Sequence, residues 1–306
     1  MATYLKQKYN TMALDFSLSS QITPNGRTAH YAALAGNADS KFFVGYQTHY
    51  KNYIGLENPK QTVVYDPQKQ VSRYGFWAYF IYPTAIAESK GSFSCLNTYD
   101  RAQFTFGFMQ YAAHVPNGDF VRFFRKLLSQ PNASDYFPKL ELKGNHIFYK
   151  GKDGSLQLEN ESSTQELMNY LNPSLNEVDK QELICSARFV HWAMNDPSHV
   201  DIQIETATEL YKNNMIQYHN KFNLEGVPDY VCQVICDIRH QGRGNNAQIS
   251  QALDTNKNYL QAYHNLLEIG GNTYQSRIVS IQATIDELIS SGVFSKKYHS
   301  TSNSFL

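Results

Sequence analysis

The chain has 306 residues, 42% of them hydrophobic, which suffices for one large or two modest domains with a sizeable core and no disulfide staples. Lys+Arg and Asp+Glu each total 27, so net charge recruits neither nucleic acid nor an anionic membrane, and recognition must be local. No segment approaches the roughly 18 apolar residues of a membrane span, which argues against membrane insertion.

The start, MATYLKQKYNTMALDF, lacks the basic segment and apolar core of a Sec signal, so the expectation is synthesis in the cytoplasm. Cys95, Cys185, Cys232 and Cys236 form no CxxC pair and no zinc-type cluster, which predicts reduced core thiols, no metal and no cofactor. The 22 Tyr and 18 Phe against 2 Trp offer flat faces for sugar rings, although most should fill the core.

In chain order, residues 1–70 show turn signals at PNG (24–26) and DPQ (66–68) with weak periodicity, and no role is assigned to them. GFWAYFIYPTAIAE predicts a helix near Pro83 that ends at Lys90-Gly91. PNGD (116–119) announces a helix with Phe120, Phe123, Phe124 and Leu127 on one face. Residues 140–160 alternate around KGN and KDG as a small β element. Helices are then predicted from STQELMNYL, at 174–195, at 201–222, from Pro228-Asp229 to the glycines of CDIRHQGRGN, and through SRIVSIQATIDELISSGVF. The tail 301–306 reads as frayed. The expected fold is mainly α with a small β element, an α+β protein whose main domain spans 71–300.

The most concentrated chemistry lies in ESKGSFSCLNTYDRAQFTFGFMQ (88–110). Glycoside hydrolysis needs one protonated carboxyl to serve the leaving oxygen and one ionised carboxylate to activate water or attack carbon. Glu88 follows an apolar helix, where desolvation should raise its pKa toward that of a working acid. Asp100 lies beside Arg101 among polar neighbours that favour its charged form. Against this stands the plain alternative of a helix-end charge and a turn aspartate.

DRAQFTFG (100–107) is similar to the Asp-x-Arg-Gly-Tyr-Thr-x-Gly segment of family 46 chitosanases, with Asp100, Thr105 and Gly107 at matching spacings. GFMQ (107–110) resembles the Gly-x-Met-Gln signature of goose-type lysozymes and lytic transglycosylases, where it follows a Glu-Ser pair such as Glu88-Ser89. The resemblance to this lysozyme superfamily covers about 25 of the 306 residues. It departs from the chitosanases in a shorter Glu-to-Asp spacing and in Arg101 directly following Asp100.

The resemblance implies a two-lobed, lysozyme-like fold with a cleft between lobes. Glu88 would be general acid, Asp100 general base and Thr105 a holder of the attacking water. Ser89, Arg101, Gly107, Met109 and Gln110 would serve substrate, with His114 close by. Arg239, Gln241 and Arg243 in CDIRHQGRGNN add a donor-rich loop suited to sugar hydroxyls or acetamido groups. There is no phosphate loop, no GxSxG elbow and no HExxH.

The expected activity is cleavage of a β-1,4-linked amino-sugar polymer. Peptidoglycan is preferred to chitosan because a polycation would favour a more acidic protein. Delivery by a secretion machine or phage lysis would then bring it to the wall, with an immunity protein as partner. The alternatives are a lytic transglycosylase, a non-enzymatic carbohydrate-binding or virion protein, and a helical interaction effector.

Overall fold

The computed structural model describes residues 13–306, and the start of the predicted N-terminal region lies outside them. About 47% helix and 19% strand make the chain α+β, as expected. It divides into two compact units, each assembled from separate segments. The first takes the described residues up to Asn58 with Leu96–Thr105 and Ala112–His199; the second takes Pro59–Cys95, Phe106–Tyr111 and Val200–Leu306. The boundary expected near residue 70 is therefore replaced by one at Asn58, and residues 71–300 do not make up a single continuous domain.

The first unit opens with β1 (Phe16–Ile22), β2 (Thr28–Leu34), β3 (Phe42–Tyr50) and β4 (Tyr53–Asn58), an antiparallel meander. Hydrophobic periodicity does not predict this sheet, for an identifiable reason. A bulge between His30 and Tyr31 shifts the β2–β3 register, so burial along β2 does not alternate with period two. The PNG turn joins β1 to β2, with Gly26 at φ +80°.

In the second unit, Asp66 caps α1 (Pro67–Tyr74) by accepting from Gln68 N–H, with Pro67 in the first turn. The helix predicted near Pro83 is α2 (Trp77–Phe80) followed by α3 (Tyr82–Ser89). It stops where expected. Lys90 and Gly91 both take positive φ, and their N–H groups donate to Ile86 O and Ala85 O. Three two-residue strands come next: β5 (Leu96–Asn97), β6 (Thr105–Phe106) and β7 (Tyr111–Ala112). β5 pairs with β4 through Glu57↔Asn97, so the first unit's sheet runs β1-β2-β3-β4-β5.

The first unit continues with α4 (Asp119–Leu128) and α5 (Ala133–Tyr136). The β element expected at 140–160 is the meander β8 (Leu140–Lys143), β9 (His146–Gly151) and β10 (Gly154–Gln157). α6 (Gln165–Leu171) and α7 (Lys180–Asn195) come after it. α7 begins at Lys180 rather than at 174, because Asp179 and Glu182 form a capping box there. Phe189 on α7 anchors the core, with its ring 5.0–5.8 Å from those of Phe104, Phe120, Phe124 and Phe137.

α8 (Pro197–Phe222) carries the chain into the second unit. There α9 (Asp229–Gln241), α10 (Asn246–Leu253), α11 (Tyr259–Glu268) and α12 (Gly271–Ser290) precede the short pair β11 (Tyr298–His299) and β12 (Ser304–Phe305). The tail is not frayed. Phe305 is 4% exposed, and its ring lies 4.6 Å from that of Phe80. All four cysteines are buried and free. Among the described residues no helix is long and apolar enough to cross a membrane.

Candidate functional site

Three helix faces of the second unit converge on Glu88. On α3, Thr84 and Glu88 stand one turn apart; on α9, Gln233, Asp237 and His240 keep the same helical spacing; α12 contributes Arg277. Arg277 belongs to the buried stripe of α12 that includes Ile281, Thr284 and Leu288, which carries its guanidinium inward.

Arg277 Nη1 lies 2.8 Å from Glu88 Oε1, and His240 Nε2 lies 3.2 Å from the same oxygen. On its other side Arg277 Nη2 donates to Asp237 Oδ1 at 2.6 Å, while Arg243 Nε donates to Asp237 Oδ2 at 3.3 Å. Asp237 also accepts from Thr84 Oγ1 at 3.4 Å, and Gln233 Nε2 donates to Thr84 Oγ1 at 3.0 Å. Arg243 Nη1 donates to the carbonyls of Leu266 and Ile269, near the C-terminal end of α11. The result is a chain of alternating charge, Glu88, Arg277, Asp237 and Arg243. Its inner end is fully buried, and the Glu88 side chain is 13% exposed.

The electrostatics reverse one sequence expectation. Burial by itself pushes the Glu88 carboxyl up, but the His240 hydrogen bond and the Arg277 charge outweigh it and hold the group below the ordinary glutamate value. Glu88 is therefore ionised in the resting protein at neutral pH rather than protonated. It helps the fold above the unfolded carboxyl's pKa, and that help is lost as pH falls through its lowered folded value. Burial does push up two other carboxyls, Glu182 to about 8 and Asp229 to about 6. Glu182 is fully buried beside Thr98 and belongs to the α7 capping box, so it serves the fold.

The other predicted residues separate into distinct places. Asp100, Arg101 and His114 line one cavity of about 440 Å³ in the first unit, with Tyr50, Lys51 and Tyr53. Asp100 Oδ1 accepts from Ala102 N–H at 2.8 Å, the turn bond of the plain alternative. Thr105 is 7% exposed on β6.

Several residues expected to serve substrate are engaged by protein groups. Ser89 is buried and donates to Phe108 O at 2.7 Å, tying the end of α3 to the segment after Gly107. Met109 is fully buried and packs the core. Gln110 Nε2 donates to Gly107 O at 2.8 Å. Arg243 is buried against Asp237 rather than presented to solvent, whereas Arg239 is exposed and donates to Gly244 O at 3.2 Å. Gln241 ends α9, half-buried, just before the left-handed Gly242.

Gly107 makes room for protein rather than for substrate. A Cβ there would stand 2.3 Å from Gln203 Oε1, and φ is +88°. Gln203 cannot yield, because it is fully buried, accepts from Phe108 N–H at 3.0 Å and donates to Phe93 O at 2.9 Å. Gly107→Ala is therefore expected to cost about 3 kcal/mol, from backbone strain and overpacking together, read as a lower urea midpoint at an unchanged slope.

Sequence reading misses Arg277, Asp237 and His240 as members of this network. The signal available is a polar stripe at helical spacing inside otherwise apolar helices, Gln233-Asp237-His240 on α9 and Thr84-Glu88 on α3. No family model, no curated protein and no solved structure matches the chain.

Proposed function

We propose that the protein is a lysozyme-like glycosidase that cuts a β-1,4-linked amino-sugar polymer, with peptidoglycan as the preferred substrate and Glu88 as the proton donor. The observation that carries the reading is the Glu88 carboxyl, held through one oxygen by Arg277 and His240 at the end of a buried charge chain. Buried charge is costly to retain, and ionisable groups perturbed in this way cluster at working sites.

As an acid gives up its proton to a glycosidic oxygen, negative charge develops on its carboxylate. Arg277 and His240 are placed to stabilise that charge, and Asp237 with Arg243 fixes Arg277 in advance. The same cations make the protonated form scarce at neutral pH, so turnover should rise as the medium is acidified toward the Glu88 pKa. Asp100 is proposed as the water-activating carboxylate. Its support is the DRAQFTFG resemblance and its place, half-buried, in the wall of a cavity.

The pH profile tests this assignment. Arg277→Met removes a charge that lowers the Glu88 pKa and leaves desolvation in place, so the folded pKa rises. The high-pH limb of kcat should then move up by about one pH unit, within the usual effect of a neighbouring opposite charge, while the rate at the optimum falls. An unmoved limb would remove Glu88 as the titrating acid.

A lowered carboxyl pKa is also what a purely structural ion pair gives, and on the second reading, a carbohydrate-binding protein without turnover, Glu88 has that role alone. In that case Glu88 variants lose stability and there is no activity to lose.

A further inference from the structure

The first unit carries a groove outside the sites above. One cavity, about 460 Å³, lies between the β9–β10 hairpin and helices α6 and α7, within the roughly 300–1,000 Å³ of small-ligand sites. Leu158 and Ile184 give it apolar wall, and Tyr149 and Tyr170 stand beside them with ring centroids 5.8 Å apart.

Two cations line the cavity without a carboxylate partner. Among the described residues neither Lys139 nor Arg188 makes an ion pair, and the buried Nε of Arg188 has no hydrogen-bond acceptor. The Arg188 guanidinium is held over the Phe137 ring at 5.6 Å. A second cavity, about 610 Å³, shares Lys139, Tyr149 and Leu156 with the first and adds Lys150 and Lys152. Across both, four cations face two carboxylates, Glu166 and Asp153.

Aromatic faces bind sugar rings, and a planar guanidinium pairs with a carboxylate. Leu156, 51% exposed at the junction of the two cavities, extends the apolar surface from one to the next. We propose that this groove binds a glycan strand that bears carboxylates, with sugar rings on Tyr149 and Tyr170 and an acidic substituent on Arg188 and Lys139. It rests on the glycan-cleaving reading only for the class of polymer, and it adds that the polymer is acidic.

The test is direct binding with the full chain carrying Glu88→Gln, by titration calorimetry. The probes are soluble peptide-free peptidoglycan glycan strands with lactyl carboxylates either free or methyl-esterified, and poly(glycerol phosphate). Free-acid strands should bind at least about tenfold tighter than esterified ones, the scale of one charge-assisted contact. Arg188→Met should abolish that difference, and Lys139→Met, at an exposed position, should reduce it. Tyr149→Ala should weaken both forms.

Equal affinity for acid and ester overturns the proposal. So does a difference that survives both cation variants, or tighter binding of the phosphate polymer than of the glycan. Product release by the wild-type protein is scored separately. If no sugar is released while the acid-over-ester preference and its loss in Arg188→Met persist, cleavage falls and the groove stands. Release without that preference gives the converse.

Discussion

Asp237→Ala is expected to destabilise the protein by about 3–5 kcal/mol, the usual cost of stripping a buried charge of its partner. Asp237 is fully buried and accepts from both Arg277 and Arg243, so its removal leaves two buried guanidiniums facing each other without the carboxylate between them. Thr84 also loses its acceptor. Urea denaturation followed by far-UV circular dichroism measures the effect as a lower midpoint. Asp237→Asn should fall between the two proteins, because the amide oxygen still accepts from one guanidinium while the charge is gone. A loss below about 1 kcal/mol in the alanine variant would mean that the ion-pair chain does not hold α9 to α12.

Glu88→Gln is expected to lower glycan cleavage by about 10²–10⁴-fold, the range attributed to a positioned general acid. The amide keeps the shape and an oxygen acceptor for Arg277, and Asp237 continues to neutralise that guanidinium, so the fold should survive. KM should change little in comparison with kcat, since the interaction removed is one made as the proton moves. Matching melting curves for the two proteins would assign the loss to chemistry. Lost activity together with a lost melting transition would instead assign Glu88 to the fold.

The parts of this architecture legible in the sequence are those set by local rules. The stop of α3 is readable because Lys90-Gly91 can adopt the left-handed conformation, and the β8–β10 meander because its turns and alternation lie within twenty residues or so. The first sheet is hidden by the bulge at His30 and by polar residues on its exposed strand β1. The boundary at Asn58 depends on long-range packing that returns the chain to the first unit at Leu96 and again at Ala112, and no local composition shift marks it.

At the site, the sequence singles out Glu88, but its electrostatic state is the reverse of the expected one. Its apolar sequence neighbours predict a raised pKa, whereas the groups that decide it, His240 and Arg277, lie far along the chain. Sequence adjacency therefore supplies the desolvation and omits the charges. Arg243 departs from expectation for the same reason. A glycine-rich, donor-rich loop suggests a surface for ligand, yet the fold turns that side chain inward, where Asp237 and two helix-end carbonyls accept from it. Met109 and Ser89 are likewise buried, Met109 in the core and Ser89 against Phe108 O, contacts that residues near in sequence do not reveal.

The most direct test of the assignment is mass analysis of soluble products from purified peptidoglycan, incubated at mildly acidic pH with the wild-type protein and with Glu88→Gln. The prediction is glycan fragments with a free reducing end from the wild type and none from the folded variant. Equal release by both, anhydro-ended fragments in place of reducing ends, or no release by either protein would contradict the role of Glu88 as the acid of a glycan hydrolase.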